Sequence, residues 1–445
     1  MALFRSRTLF QKSLPLQQSI CVMLGILACV LALIGFIRAI PMLLQVPDQL
    51  DFGAYYVAAY ILNTHGELYQ SNMIAVAAEN AGHVHATSYI YPPFWAVLIR
   101  PLALLPYSTA EVVWLVCNVL FLCLSVVLMV HLLQLPFITA APLVGVLFLM
   151  PAVYDTMLLG QVSLLITLLL VGVLTLSVVP ISKKCYQNEV LAGVLLGLAV
   201  AIKVYQAVMI LVYIVHRRMK VLFTTGLTVS ITVLIGILFG GGWSSIEHWL
   251  TDVMPAVSTM SPFPSNQSIR GVITRFFSTN QFQVPVLTST NFMSILIRPL
   301  IDHALLGRLI SWIGILSTIS VTVLSMIWRV RQDGQTYVSL VMNFATAIAA
   351  MLLITPVVWD FYFVHALIPM VVLAWYNARV SLSQLTLIIV CLLLVLQRYW
   401  RFMLLFAQTP WLMCFGFLGI GLLWFTLQRT SFHQYACTIT QKNER

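Results

Sequence analysis

From Ala110 to Leu133 the chain carries a single charged side chain, Glu111. Similar apolar runs recur at Ser19–Leu44, Gln161–Pro180, Val221–Phe239, Leu305–Trp328 and Phe402–Leu427. An α-helix needs about 20 predominantly apolar residues to cross a bilayer. Hydrocarbon offers no water to the backbone, so only helices and closed barrels span it. These runs are continuous rather than alternating, which excludes a β-barrel. Composition agrees, with 61% of residues hydrophobic and 8% charged, whereas a soluble domain carries about 25% charged residues. A soluble enzyme, a disordered chain and a nucleic-acid binder are thereby excluded. The net charge of +10 reads as Lys and Arg concentrated in cytoplasmic loops. The 8 cysteines form no Cys-x-x-Cys pair and read as small buried hydrophobes.

The predicted architecture is an all-α polytopic membrane protein, one integral domain of about 12 transmembrane helices oriented by the positive-inside rule. Arg5, Arg7 and Lys12 precede the first span and put residues 1–18 in the cytoplasm. Residues 45–108 read as a large first external loop with short surface helices, residues 240–302 as a second external loop and residues 428–445 as a cytoplasmic tail. The remaining spans are Ala110–Leu133, Phe137–Val153, Tyr337–Thr355, Phe361–Tyr376, Leu382–Leu396 and a short pair, Val190–Ile202 and Val204–Val215. The stretch Tyr91–Pro106 is apolar but broken by Arg100 and Pro101. If it does not cross, Lys183 and Lys184 fall in the cytoplasm, as the rule prefers.

Few residues can carry chemistry in such a chain. Asp48 and Asp51 follow the first span. Asp51 reads either as a general base or as the N-cap of a helix starting near Phe52, and Asp48-x-x-Asp51 could hold a divalent cation. Lys203 interrupts two apolar half-helices, where a charge is expensive and therefore functional or paired; Asp155 is one candidate partner. Arg270 and Arg275 lie in a polar loop and could meet a phosphate or simply be solvated. Gln161, beside Gly160, suits helix-end hydrogen bonding as well as sugar contact.

Six stretches occur in one order: Asp51-Phe52 with Tyr55-Tyr56 and Ala58-Ala59; Tyr91-Pro92-Pro93-Phe94 with Pro101 to Pro106; Asp155 with Gly160-Gln161-Val162; Ala192-Gly193 to Gly197-Leu198-Ala199, then Lys203; Asn266-Gln267-Ser268-Ile269-Arg270-Gly271; and Thr355-Pro356-Val357-Val358-Trp359-Asp360. In this the chain resembles glycosyltransferase family 87, polytopic enzymes of the GT-C class. The resemblance implies a GT-C-type fold and a transferase that takes a sugar, often mannose, from a polyprenyl-phosphate carrier. It implies a glycolipid or glycan acceptor, attack at the outer face of the membrane and inversion at the anomeric carbon. It makes Asp51 the catalytic base. Arg270 and Lys203 would balance the phosphate, with Asp48, Tyr55, Tyr91, Asp155, Gln161, Asp360, Tyr362 and His365 as further substrate contacts.

One position departs from the family's pattern. Family members often carry His directly after the residue matching Asp360, where this chain has Phe361. His365, one helical turn on, is the candidate substitute. The reading that follows is a mannosyltransferase-like enzyme of a bacterial inner membrane, working at the outer face and partnered by lipid rather than nucleic acid. The alternatives are a secondary transporter or lipid-linked-sugar flippase and a non-catalytic scaffold. The transporter or flippase would carry mid-membrane charges on several helices and inverted repeats, where this chain has Lys203 and Arg38 as its obvious deep charges and its acidic cluster in a loop. The scaffold would tolerate substitution of Asp51 and Arg270 together.

Overall fold

The computed structural model describes residues 49–82, 84–135, 150–178, 185–259, 262–285, 292–377, 382–397 and 414–443, with Val30 and Ile37. The expected span Ser19–Leu44 and the candidate Asp48 fall outside this set, apart from those two single residues, as do most of Phe137–Val153 and the first part of Phe402–Leu427.

The described chain is helical throughout except for one hairpin. It begins with α1 (Leu50–Asn63), α2 (Ser71–Asn80) and α3 (Pro93–Ile99), followed by a 3-10 turn at Leu102–Leu104. Pro93 opens α3 at its first position, where the missing N–H is no loss. At 1.5 Å per residue α3 is about 10 Å long, too short to cross. Next come α4 (Tyr107–Leu133), α5 (Pro151–Leu159), α6 (Ser163–Val178) and α7 (Cys185–Ile202). A 3-10 segment at Val204–Met209 leads into α8 (Ile210–Val215) and then α9 (Met219–Phe239). After α9 come α10 (Gly242–His248), α11 (Met254–Thr259) and α12 (Ile269–Phe277). β1 (Asn280–Pro285) and β2 (Phe292–Ile297) follow, antiparallel with Asn280 opposite Ile297. The chain closes with α13 (Ala304–Asp333), α14 (Tyr337–Ile354), a 3-10 segment at Asp360–Ala366, α15 (Leu367–Asn377), α16 (Leu382–Gln397) and α17 (Phe415–Asn443).

Among the described residues four helices, α4, α9, α13 and α14, are long and apolar enough to cross a membrane alone. Shorter apolar helices accompany them, among them α6 and α16. α14 is the core: Leu340 through Leu353 are buried without interruption. The others turn large apolar side chains outward. On α4 these are Val112, Val116, Leu120, Leu124 and Val127; on α9 they include Phe223, Leu227, Ile231, Leu234 and Leu238. Small and hydroxyl residues face inward instead, as do Thr225, Thr228, Thr232 and Gly236 on α9. That inversion suits lipid, where helices associate through close packing of small residues. Gly193 and Gly197 of α7 show it directly. A Cβ on Gly193 would strike Thr224 and the Val221 carbonyl, and one on Gly197 would lie 2.5 Å from the Thr228 Cβ.

Several expectations change. α1 is not a surface helix: ten of its fourteen residues are buried, because it is apolar around its whole circumference and α2, α3 and α4 cover it. α7 reaches back to Cys185, so the first member of the supposed short pair is 18 residues long, about 27 Å at the standard rise. The stretch read as the second external loop carries a hairpin and helices. α17 runs on through most of the stretch read as a tail. Arg329, the charge that directly follows the apolar run Leu305–Trp328, is buried. It donates to the Asn343 Oδ1 at 2.5 Å and the Leu427 carbonyl at 2.8 Å, while Asn343 meets His216 Nε2 at 3.0 Å. This buried set ties α13, α14 and α17 to the end of α8.

Candidate active site

The site is assembled by three interruptions of helical structure. α1 starts without a side-chain cap at Gln49; the Gln49 N–H is instead held by Glu111 Oε1 of α4 at 2.8 Å. Asp51 is therefore not the N-cap. It stands in the first turn with its carboxylate turned away from its own helix. α5 ends at Gly160, whose φ of +66° is left-handed and favours glycine. A Cβ there would sit 2.5 Å from Gln49 Oε1 and 2.6 Å from the Phe52 Cβ. The Gly160 carbonyl accepts from the Trp114 indole at 2.7 Å, which sets the direction of Gln161. α7 breaks at Lys203, whose extended backbone (φ −139°, ψ 108°) separates it from the following 3-10 turn and leaves its side chain on the inner face.

These residues meet at Gln161. Its Nε2 donates to Asp51 Oδ2 at 2.5 Å. Its Oε1 accepts from Lys203 Nζ at 3.2 Å and from the Tyr91 hydroxyl at 3.1 Å. Tyr55 donates to the Tyr91 hydroxyl at 2.8 Å and lies 3.3 Å from the same amide oxygen. The other carboxylate oxygen, Asp51 Oδ1, accepts from Thr87 Oγ1 at 2.9 Å. Thr87 is exposed, so this oxygen marks the open side of the cluster. The loop that brings Thr87 in runs flush against α1, because a Cβ on Gly53 would strike the His85 carbonyl.

Lys203 Nζ sits in a box of rings. The centroids lie 4.2 Å away for Tyr362, 5.3 Å for Tyr91 and 5.5 Å for Phe361, within reach of cation–π attraction. Tyr362 stacks on Tyr205 at 5.1 Å. The Tyr205 hydroxyl meets His365 Nε2 at 3.1 Å, and Thr167 Oγ1 meets His365 Nδ1 at 2.9 Å. Both ring nitrogens of His365 are thus engaged, and it reaches Lys203 only through Tyr205 and Tyr362.

Burial pushes the Asp51 carboxyl above the usual carboxylate range; the bonds from Gln161 and Thr87 and the charge of Lys203 pull part of that back. Burial likewise holds the Tyr55 and Tyr91 hydroxyls well above the usual phenol range, so both stay neutral donors.

Of the residues singled out in the sequence, Asp51, Tyr55, Tyr91, Gln161, Lys203 and Tyr362 come together, with His365 one ring behind. Asp155 is half-buried on α5, and the described contacts of the Lys203 ammonium are with Gln161 and the rings of Tyr91, Phe361 and Tyr362. Asp360 heads the 3-10 segment that carries Phe361 and Tyr362 inward, and its charge is felt by Arg275 rather than by Lys203. Arg275 is fully buried and donates to the carbonyls of Phe263 and Asn266 at 3.0 and 2.7 Å, a fastening rather than a phosphate contact. Arg270, on the first turn of α12, is half-buried; its carbonyl accepts from Thr274 Oγ1 at 2.7 Å, while its guanidinium has no hydrogen-bond or ion-pair partner among the described residues. The stretch around Asn266 is a joint: Asn266 Nδ2 and Ser268 Oγ both donate to the Pro356 carbonyl at 3.0 Å, and Asn266 Oδ1 accepts from Val358 N at 2.9 Å. Sequence reasoning missed Thr87, Trp114 and Tyr205. Of these only Trp114, one turn beyond Glu111 in an apolar run, stands out by residue type.

Fold and site together define an integral membrane protein whose buried carboxylate and ammonium are bridged by a single amide. The family model of glycosyltransferase family 87 matches residues 89–356, more than half of the chain, and the chain belongs to that family. It is accordingly a membrane glycosyltransferase. No curated protein and no solved structure matches the chain. Tyr91, Asp155, Gln161, Lys203 and Arg270 lie inside the matched stretch, whereas Asp51 and Asp360 flank it.

Proposed function

We propose that this protein moves a mannose-type hexose from a polyprenyl-phosphate carrier to a hydroxyl of a glycolipid or glycan, at the extracytoplasmic face of a bacterial inner membrane and with inversion. The observation that carries this reading is the alignment of Asp51, Gln161 and Lys203. It holds a carboxylate and an ammonium two hydrogen bonds apart, with the carboxylate's other oxygen toward exposed Thr87.

In the reaction the acceptor oxygen attacks the anomeric carbon while its proton passes to the Asp51 carboxylate. The bond from the anomeric carbon to the phosphate oxygen breaks, and the carrier phosphate leaves with the electron pair. A phosphate is a stable anion, so its departure calls for nearby cations more than for a strong acid. Lys203 supplies one from the ring box. Arg270, unpartnered and suited to paired phosphate contacts, supplies the other. Tyr55, Tyr91 and Tyr362 shape the wall against which the sugar sits.

The test is reconstitution of wild type and Asp51→Asn in liposomes with labelled polyprenyl-phosphate sugars and a lipid extract as acceptor source. Consumption of one donor by wild type, reduced by about 10²–10⁴-fold in the variant, is the expected result. Equal consumption by both proteins would remove Asp51 as the base. Saturable counterflow of intact donor without transfer would replace the reading with transport.

A further inference from the structure

Asp51 and Lys203 form no ion pair, although they are the carboxylate and ammonium of one buried cluster. Gln161 occupies the place where the pair would form. The orientation of its amide is fixed by chemistry. An ammonium has donors only, so the carbonyl oxygen must face Lys203 and the NH2 must face the carboxylate. The reverse would set NH2 against NH3+ and oxygen against oxygen. The Tyr91 hydroxyl reinforces this by donating to the same oxygen.

We infer that Gln161 is a positioning residue, an insulating bridge that holds the Asp51 base and the Lys203 cation in register while preventing them from neutralising one another. The inference rests on Asp51 being the base, as proposed above. An unbridged carboxylate and ammonium would pair directly, leaving a weaker base and a cation already spent. With the amide between them, the donors on Oε1 polarise its N–H toward Asp51, since hydrogen bonds in series strengthen one another. One side of each charged group remains for substrate: the Thr87 side of the carboxylate and the ring box of the ammonium. The groups facing Asp51 are Thr87, Gln161, Lys203, Tyr55, Tyr91 and Tyr362. Lys203 is the cation among them.

The experiment follows the Asp51 carboxyl by infrared pH titration of the reconstituted protein, with Asp51→Asn subtracted to assign the band. Wild type, Gln161→Glu and Gln161→Ala are compared, and the pH profile of donor consumption is recorded alongside. Gln161→Glu replaces the amide donor with a second anion, so Asp51 should titrate at least one pH unit higher. Gln161→Ala opens the gap to the flexible Lys203 stem, so Asp51 should titrate lower, as carboxylates beside a cation do. In Gln161→Ala kcat should fall about tenfold or more, with a smaller change in KM. Opposite displacements in the two variants are a signature that an amide serving only to fill space would not give. The same Asp51 titration in all three proteins, or displacement of both variants in one direction, overturns the inference. If one variant does not fold, the sign of the other decides. If the band moves as expected but the activity profile does not follow, the bridge stands and it is the assignment of Asp51 as base that fails.

Discussion

Phe361 forms a wall of the box around Lys203, its ring centroid 5.5 Å from the ammonium nitrogen. This is the position at which the sequence resemblance leads to the expectation of a histidine. In this chain the cation is thus held by an apolar face rather than joined by a second titrating group. A desolvated cation–π contact is worth about 0.5–2 kcal/mol. Phe361→Leu keeps the bulk and removes the face. It should raise the donor KM by about threefold to tenfold with little change in kcat, measurable by steady-state donor consumption.

Asp51 gives a pH prediction with a definite sign. Its carboxyl lies above the ordinary carboxylate range because burial disfavours the charged form. The base form is therefore gained as pH rises through that raised value and lost below it. The acidic limb of the kcat/KM profile should fall above the solution range of Asp. Thr87→Val removes a hydrogen bond to the ionised form and should move the limb higher still. The same displacement makes the folded protein less stable as pH rises through this window, since the native state holds the proton longer. At neutral pH Asp51→Asn should then melt no lower than wild type, even as activity is lost.

Gly160→Ala tests the joint that aims Gln161. The left-handed backbone costs about 1–2 kcal/mol for a residue with a side chain. Forcing a methyl group against Gln49 and Phe52 adds about 1–3 kcal/mol. Together they should lower stability by about 2–5 kcal/mol, read by thermal unfolding in detergent. The Asp51 titration should shift in the same variant, because Gln161 moves with the turn.

The two arginines of the Asn266 region should separate cleanly. Arg275 is buried against two carbonyl oxygens and near Asp360. Arg275→Ala should cost about 3–5 kcal/mol, the usual penalty for removing one member of a buried polar set. Arg270→Ala should leave the melting temperature unchanged and raise the donor KM. Thermal melts and donor titrations on the same preparations distinguish the two.

Lys203 is legible in the sequence because a charge between two apolar half-helices demands a reason. Asp51, Tyr91 and Gln161 are legible through the motifs around them. Their partnership is not, since the bond from Gln161 to Asp51 joins residues 110 apart in the chain and no local spacing encodes it. Thr87 is invisible for the same reason: it gains meaning only because Gly53 lets its loop lie on α1. The burial of α1 is readable in principle, because a helix apolar all round has no face for water; the acidic residues flanking it point the other way. In the β1–β2 hairpin, Gln281 and Gln283 alternate with Phe282 and Val284, a strand signal too short to stand out within a polar loop.

The glycine seam between α7 and α9 has a consequence for how a lipid must approach. With Gly193 and Gly197 pressed onto Thr224, Val221 and Thr228, the two helices cannot slide past each other without opening a gap in their packing. Lys203 hangs from the end of α7, so its height along α9 is fixed like a notch on a ruler. Under the proposed reading, a carrier whose phosphate floats higher or lower gains nothing from flexibility at this seam. The lipid would have to adjust, and the headgroup geometry of the carrier would become a selection criterion in its own right.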